Sequence, residues 1–246
     1  MFTRVNKAMN LRFNLKITLI KSYFNYVLSR KKGLEVGGPS PAFVSCLPVY
    51  KSISLVDNVI FSETNLWRSQ AEAIISDKAI ATKFRDQFIL EATDLSSLNG
   101  RKYDFVLCSH TLEHIANPIK ALIEFKSLLN KGGVIVLLLP DKRFTFDHLR
   151  PYTSFAHILS DFIQNKKESD LSHLQEILDK HDLSRDAEAG DFNNFRNRSI
   201  NNTDNRCLHH HVFSLSLLNE LCLYLNLEPV FNHEINPHIL SVMKNN

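Results

Sequence analysis

Glycine is scarce in this chain, with seven among 246 residues, and four of these form the pairs Gly37-Gly38 and Gly132-Gly133. Long apolar runs are missing, because the longest, at residues 134–139, is far short of the ~20 residues that a membrane-spanning helix needs. The four cysteines lack the paired spacing of a disulfide framework. These shortages exclude a spanning protein and predict reduced thiols in a cytoplasmic chain.

What the chain does contain is enough apolar surface for a packed core. Hydrophobic residues make up 44% of the sequence and charged residues 22%, which excludes wholesale disorder. The length suits one large α/β domain or two small ones. Lys16 and Lys21 interrupt every candidate apolar core of a signal peptide.

The first 32 residues form a basic arm with eight Lys or Arg side chains and no acid, whereas the remainder has a net charge of −5. Apolar side chains follow helical spacing there, and they are Phe13, Ile17, Ile20, Phe24, Val27 and Leu28. The spacing predicts a helix that packs on the domain as a cover. Peripheral membrane contact through residues 1–32 is the alternative, and we expect no nucleic-acid partner.

From residue 33 short apolar runs alternate with helical stretches. Strands are predicted at residues 34–36, 53–56, 88–90, 105–108 and 134–139. Asn117 and Pro118 predict the start of a helix, which Gly132-Gly133 then closes. The order strand, helix, strand is typical of a βαβ unit. We therefore predict an α/β fold: a Rossmann-like, doubly wound, mostly parallel sheet with helices on both faces.

After Pro140 the chain becomes polar, with helical patches at residues 155–164 and 171–178. A helix at 214–226 and strands at 230–231 and 239–243 close the fold. We divide the chain into the arm (1–32) and one domain (33–246). That domain has a cofactor-binding half (33–140), a polar helical insertion for the acceptor (141–213) and a closing part (214–246).

The turn after the first strand points to a nucleoside ligand. Glycine at Gly37 lets a ligand approach the backbone, and Asp57, twenty residues later, is spaced to accept the hydroxyls of a ribose. A solvated aspartate after an ordinary turn is the alternative. Pro39 and Pro41 remove amide donors, so the turn does not suit a phosphate. A ligand with a ribose and no phosphate fits better.

Four stretches of sequence carry a family resemblance, and they are residues 34–39, Asp57, residues 103–114 and residues 128–133. In order and spacing they resemble the class I S-adenosylmethionine-dependent methyltransferases. The resemblance implies that Glu35, Gly37 and Gly38 line the methionine end of S-adenosylmethionine. It further implies that Asp57 holds the ribose, Asp94 approaches the adenine amine, and Ser109 and His110 border the sulfonium.

Residues 140–151 and 208–213 resemble a bacterial subgroup of these enzymes, of the methyltransferase type 11 kind, that is linked to surface-polysaccharide biosynthesis. The resemblance implies a small-molecule or glycan acceptor with a hydroxyl or amine. As the acid-base set we expect His110, Asp147, His148 and His211.

A zinc site is an alternative use of the histidines, in which His209 and His211, or His210 alone, face one site. The residues that could complete it after folding are Asp141, Asp147, His148, His157 and Asp161, but we assign no residue to a metal. Two further readings stay open: a non-catalytic protein of this fold in a glycan-assembly complex, and a metal-binding enzyme that uses the His- and Asp-rich C-terminal half.

Overall fold

The structure is a computed structural model that describes residues 18–246. Its centre is a seven-stranded sheet in the order β3-β2-β1-β4-β5-β7-β6. The strands are β1 (Lys32–Val36), β2 (Leu55–Ile60), β3 (Phe84–Ile89), β4 (Tyr103–Ser109), β5 (Leu129–Pro140), β6 (Glu228–Ile235) and β7 (His238–Lys244). Strands β1 to β5 are parallel, and β7 is antiparallel to both β5 and β6. The predicted doubly wound, mostly parallel fold is confirmed.

Ten α-helices are found among the described residues. They are α1 (18–28), α2 (Ala42–Ser45), α3 (Arg68–Ile75), α4 (Lys78–Ala81), α5 (Pro118–Ser127), α6 (Phe155–Ile163), α7 (Leu174–Lys180), α8 (Phe192–Ile200), α9 (Asn202–Asn205) and α10 (Leu215–Tyr224). Over residues 18–246, no helix combines the length and apolar character needed to cross a membrane.

Side chains alternate across the central strands and feed two cores. Val106 and Cys108 of β4 face the core formed with α5, α6 and α10, while Phe105 and Leu107 face the core formed with α1 and α2. This alternation follows from the two-residue period of a strand. Both faces of the sheet are therefore covered by helices. Cys46, Cys108, Cys207 and Cys222 are all unpaired, as their spacing predicts.

The described part of the basic arm packs on the sheet. Ile20, Phe24 and Leu28 are each no more than 4% exposed and belong to the second core. The remaining positions of the predicted stripe that precede residue 18, Phe13 and Ile17, lie outside the described residues. Packing is thus confirmed for α1, and membrane contact stays a prediction.

Several boundaries differ from those that the sequence predicts: the third strand, for example, runs from Phe84 to Ile89 and not over 88–90. The second strand runs from Leu55 to Ile60, because it pairs in parallel with both β1 and β3 along this length, so it does not end before Asp57. Helix α5 begins at Pro118 with Asn117 as its N-cap, as predicted, but ends at Ser127. Gly132 and Gly133 instead open β5, where they bond to the backbone of Asn245.

Residues 141–213 contain α6 to α9, of which α6 packs on the first core of the sheet, while the rest has a small core of its own. Ile177, Ala189, Phe195 and Leu208 are buried together there. The predicted helical insertion after the fifth strand is confirmed, with its second helix starting at Leu174.

The burial of α1 predicts a contrast between two aromatic residues of this helix, Phe24 and Tyr26, which lie two positions apart. Phe24→Ala should lower the free energy of unfolding by about 3–5 kcal/mol, because it opens a cavity in the core. Tyr26 is 85% exposed, and Tyr26→Ala should change stability by no more than about 0.5 kcal/mol. Urea unfolding of both variants checks this, and equal effects would show that α1 is not part of the core.

Candidate active site

A cleft of about 770 Å³ lies at the carboxyl ends of the parallel strands. It is lined by the turn after β1, by the ends of β2, β3 and β4, and by His238 of β7. Helix α3 and two residues of the insertion, Glu168 and Arg206, complete its walls. The strand order reverses between β1 and β4, and such a switch point is where open α/β sheets bind ligands.

The turn after β1 brings backbone close to the cleft. Gly37 has φ +81°, and a Cβ atom there would lie 2.0 Å from Oγ1 of Thr111. At Gly38 a Cβ atom would lie 2.1 Å from the carboxyl carbon of Glu35. Neither position has room for a side chain, so the pair of glycines is required by the geometry.

Glu35 supports this turn from below and does not line the cleft. Its fully buried carboxylate accepts hydrogen bonds from the Tyr50 hydroxyl at 2.9 Å and from the Ser40 amide at 3.1 Å. Burial raises the pKa of Glu35 to about 8, although the two hydrogen bonds oppose the shift. Ser40 in turn donates to Ser109 at 2.9 Å, which ties the turn to the end of β4.

His110 follows β4 and projects into the cleft. Its backbone has φ +48°, and its Nε2 lies 2.9 Å from Nδ1 of His238. The enclosing walls, and then His238 and His209, lower the pKa of His110 to about 3. The ring is therefore neutral at pH 7.

Asp57 lies outside the cleft, contrary to the position expected of it. Because β2 continues to Ile60, Asp57 sits in mid-strand with its side chain 1% exposed. It binds Arg85 at 2.6 Å, Arg101 at 3.0 Å and the Tyr103 hydroxyl at 2.8 Å. Among the acids of the cleft wall, the one that follows β2 is Glu63.

Asp94 also lies away from the cleft wall, which at this point is formed by residues 90–93. Its carboxylate is exposed and accepts hydrogen bonds from the amide and hydroxyl of Ser96, so it caps a local turn. The backbone before it, including Ala92, is what borders the cleft.

The insertion reaches across the cleft through one arginine. Arg206 donates to Glu91, which follows β3, at 2.6 Å, and lies 3.5 Å from Glu168. Its guanidinium also covers the ring of Phe61 at 5.4 Å. Burial raises the pKa of Glu168 to about 7. These contacts join the insertion to the segments that follow β2 and β3.

Three of the predicted acid-base residues do not meet His110 in the cleft. Asp147 is buried against Arg150, at 3.0 Å, and against His209, and His148 pairs with Asp182 at 2.9 Å. His211 is buried 3.3 Å from the carbonyl oxygen of Ala116. The expectation of one four-residue set is corrected, because ion pairs within the insertion hold Asp147 and His148 elsewhere.

The histidine run also divides differently from the expectation that His209 and His211 face one site. His209 contacts His114 and Asp147, His210 contacts Asn202, and His211 turns towards Asp161. The segment is irregular between α9 and α10, so the alternation of a strand does not apply.

Sequence reasoning missed several residues of the wall. They are Glu63, Trp67, Glu91, His114, Glu168, Arg206 and His238. His114 comes shortly after the end of β4, where site residues are expected, so the sequence did carry a signal for it. His238 carried none, since only the sheet brings it to His110 across 128 residues.

The pattern of one family, described as the methyltransferase domain, matches residues 12–228. The chain belongs to the methyltransferase-domain family. It is an S-adenosylmethionine-dependent methyltransferase, as its sequence resemblance predicts. The bacterial surface-polysaccharide subgroup stays a prediction. No curated protein matches the chain.

Solved methyltransferase structures share this fold. An O-methyltransferase family protein from Burkholderia thailandensis is 12% identical with a TM-score of 0.52, and the match covers 99% of this chain and 60% of that one. A putative methyltransferase bound to the Trm112 methyltransferase activator, from Haloferax volcanii, is 12% identical with a TM-score of 0.53 and coverages of 91% and 87%. At such identities the likeness shows the fold alone.

The cleft of this methyltransferase fits its cofactor, S-adenosylmethionine. The glycine pair brings bare backbone to the cleft wall, Pro39 and Pro41 remove amide donors that a phosphate would need, and the volume is within the ~300–1,000 Å³ of ligand pockets. Gly37, Gly38 and Ser109 all line this cleft.

Gly37→Ala tests this turn against a matched control. Both Gly37 and Gly132 have positive φ, but a Cβ atom at Gly132 has nothing within 4 Å. Each alanine should cost about 1–2 kcal/mol of stability for the left-handed backbone. Only Gly37→Ala should weaken binding of S-adenosylhomocysteine, because it also displaces Thr111. Calorimetry on both variants checks this, and unchanged affinity in Gly37→Ala would place the cofactor elsewhere.

Asp57→Asn should affect stability rather than cofactor binding. Burial raises the pKa of Asp57, but hydrogen bonds from Arg85 and Tyr103 outweigh it and hold the pKa below its ordinary value. The carboxylate therefore stabilises the fold fully above its ordinary pKa of 3.8, and this contribution is lost as the pH falls through the lower folded value.

At pH 7 the Asp57→Asn variant should lose about 1–3 kcal/mol of unfolding free energy, since the arginines and Tyr103 lose a charged partner. The difference from the unmodified chain should shrink below pH 3.8. Urea unfolding against pH and calorimetry with S-adenosylhomocysteine measure the two effects. A weakened cofactor affinity at undiminished stability would restore Asp57 to the ribose site.

Proposed function

We propose that this methyltransferase transfers a methyl group to a hydroxyl or amine of a small-molecule or glycan acceptor, with His110 as the general base. The observation that carries the proposal is the neutral His110 ring, which stands in the cleft at the end of β4 with its Nε2 held against His238. Side chains at the carboxyl end of a strand next to the switch point are placed to touch the reacting groups.

The cofactor, when bound, supplies an electrophilic methyl group on a sulfonium. The chain's own part is mainly to align the acceptor with that group and to exclude water, and alignment contributes up to ~7–11 kcal/mol in favourable cases. His110 takes the proton that a hydroxyl acceptor loses as its oxygen bonds to the methyl carbon. We assign the ribose contact to Glu63 and the adenine contact to the backbone at Ala92, because these line the cleft where Asp57 and Asp94 do not.

The acceptor side of the cleft combines aromatic and charged groups. Trp67 lies 5.3 Å from the ring of His114, and Glu168 and Arg206 stand on the insertion wall. A flat apolar surface beside paired hydrogen-bonding groups suits a polar ring such as a sugar. This mixture supports a small polar or glycan acceptor.

The pH dependence of turnover distinguishes a hydroxyl acceptor from an amine acceptor. Because the pKa of His110 is about 3, its base form is present throughout the neutral range, and the rate falls on this account only as the pH drops towards 3. A hydroxyl acceptor should therefore give a flat profile between about pH 5 and pH 8. An acid limb near neutrality would belong to an amine acceptor, which reacts only when unprotonated.

His110→Asn tests the base with little backbone strain, since asparagine tolerates the left-handed conformation that His110 adopts. Turnover should fall by about 10²–10⁴-fold while affinity for S-adenosylhomocysteine is retained. His148→Ala, outside the cleft, should keep its turnover. The assay follows labelled methyl groups from S-adenosylmethionine into small-molecule and glycan fractions of the host.

Full turnover in His110→Asn would remove His110 from the chemistry. Cofactor binding without transfer to any fraction would favour the non-catalytic alternative in a glycan-assembly complex.

A further inference from the structure

Three histidines converge at a point in the insertion, outside the cleft, and one aspartate adjoins two of them. They are His157 and Asp161 of α6, His173 directly before α7, and His211 in the segment 207–214. Each histidine places a ring nitrogen within 4.8 Å of the other two. Nε2 of His157 lies 2.9 Å from Nε2 of His173 and 3.2 Å from Oδ2 of Asp161, and Nε2 of His211 lies 3.8 Å from the same oxygen.

The cluster has fewer N–H donors than it has nitrogen and oxygen atoms that could accept a hydrogen bond. Nδ1 of His173 donates to the carbonyl oxygen of His210 at 2.6 Å, so in the neutral ring Nε2 carries a lone pair. A single N–H on Nε2 of His157 can serve either His173 or Asp161. Oδ2 of Asp161 and Nδ1 of His211 have no hydrogen-bond partner, although these side chains are only 6% and 0% exposed. Buried polar atoms left unpaired in this way are costly.

A divalent cation resolves the shortage, because it accepts several lone pairs at once. Zinc binds imidazole nitrogen and carboxylate oxygen at about 2.0–2.2 Å, and a tetrahedron of such bonds has edges of ~3.3 Å. The separations at His157 are close to that edge length. His157 and Asp161 are also four residues apart on one helix, a spacing that places both side chains on the same face.

The surroundings of the cluster favour a metal as well. Burial lowers the pKa of His173 and of His211, which keeps both rings neutral, as metal ligands must be. The carbonyls of His210 and Ala116 accept the Nδ1–H of His173 and the Nε2–H of His211, which leaves Nε2 of His173 and Nδ1 of His211 as the ligating atoms. Ligating histidines commonly donate their other nitrogen to a carbonyl in this manner.

We propose that His157, His173, His211 and Asp161 bind one zinc ion in a closed, tetrahedral structural site. The ion would join α6, the start of α7 and the segment 207–214, which are distant in sequence. Glu168 and Arg206 of the same insertion line the cleft. Zinc here therefore stabilises the wall on the acceptor side and takes no part in methyl transfer.

The test measures zinc directly on the full chain. The protein is stripped with a chelator, dialysed, titrated with zinc chloride and assayed for bound metal and for thermal unfolding. We expect one zinc per chain and a higher Tm with zinc. His157 is 46% exposed, so His157→Ala should fold, yet its zinc affinity should fall by at least about 100-fold, more than loss of an outer partner causes. His148→Ala, whose histidine pairs with Asp182, should bind zinc normally.

His157→Cys gives a positive signature, because a thiolate also binds zinc. With cobalt(II) in place of zinc, this variant should keep the visible absorption of a tetrahedral ion and gain a thiolate charge-transfer band that the unmodified chain lacks.

Three results would overturn the proposal. The first is no zinc and no rise in Tm in the unmodified chain, which would leave a proton-sharing cluster. The second is zinc that persists undiminished in His157→Ala. The third is zinc that His114→Ala alone removes, since Glu113, His114 and His209 also bring three ligand atoms within 4.8 Å of one another.

Discussion

The buried carboxylate of Glu35 is the contact on which the cofactor half of the molecule depends. It is fully buried, and it accepts hydrogen bonds from the Tyr50 hydroxyl and from the Ser40 amide, both of which follow the glycine turn in the chain. The absence of a side chain at Gly38 is what lets the carboxylate lie directly beneath the backbone. From there the constraint passes through Ser40 to Ser109, and so to the edge of the cleft where His110 stands. Glu35 thus supports the wall of the cleft through the turn.

The insertion is organised by a different principle, the divergence of three adjacent histidines. His209, His210 and His211 lie on one irregular segment, and each is buried against a different partner. Such burial is costly for a polar ring unless a partner is supplied. The Asp, Glu and Asn side chains of the insertion supply these partners, which explains why a polar stretch of sequence folds as a compact layer.

The sequence predicts those features that depend on neighbouring residues. The Gly37-Gly38 turn, the Asn117 cap of α5 and the closing strands all follow from local patterns, and the structure contains them. Asp57 shows the limit of prediction from neighbouring residues. Its apolar neighbours suggest a strand that ends before it, whereas pairing with β1 and β3 extends the strand to Ile60. The arginines that then bind Asp57 come from residues 28 and 44 positions away, and no local pattern announces them.

The same limit explains why only some residues of the candidate site could be predicted from the sequence. His110 was identifiable because it directly follows a buried strand, but His238 reaches it only through the antiparallel pairing of β7 with β5. Asp147 and His148 follow β5 in the chain and so looked equally well placed. Both residues instead form ion pairs within the insertion: Asp147 pairs with Arg150 and His209, and His148 pairs with Asp182.

The separate small core of the insertion has a consequence for how such a protein changes over time. Ile177, Ala189, Phe195 and Leu208 pack with one another and belong to neither core of the sheet. Substitutions in this layer can therefore reshape the surface offered to acceptors without loosening the packing around the strands. The two halves are free to diverge at different rates, the cofactor half held by its glycine turn and the other open to new chemistry on the same scaffold.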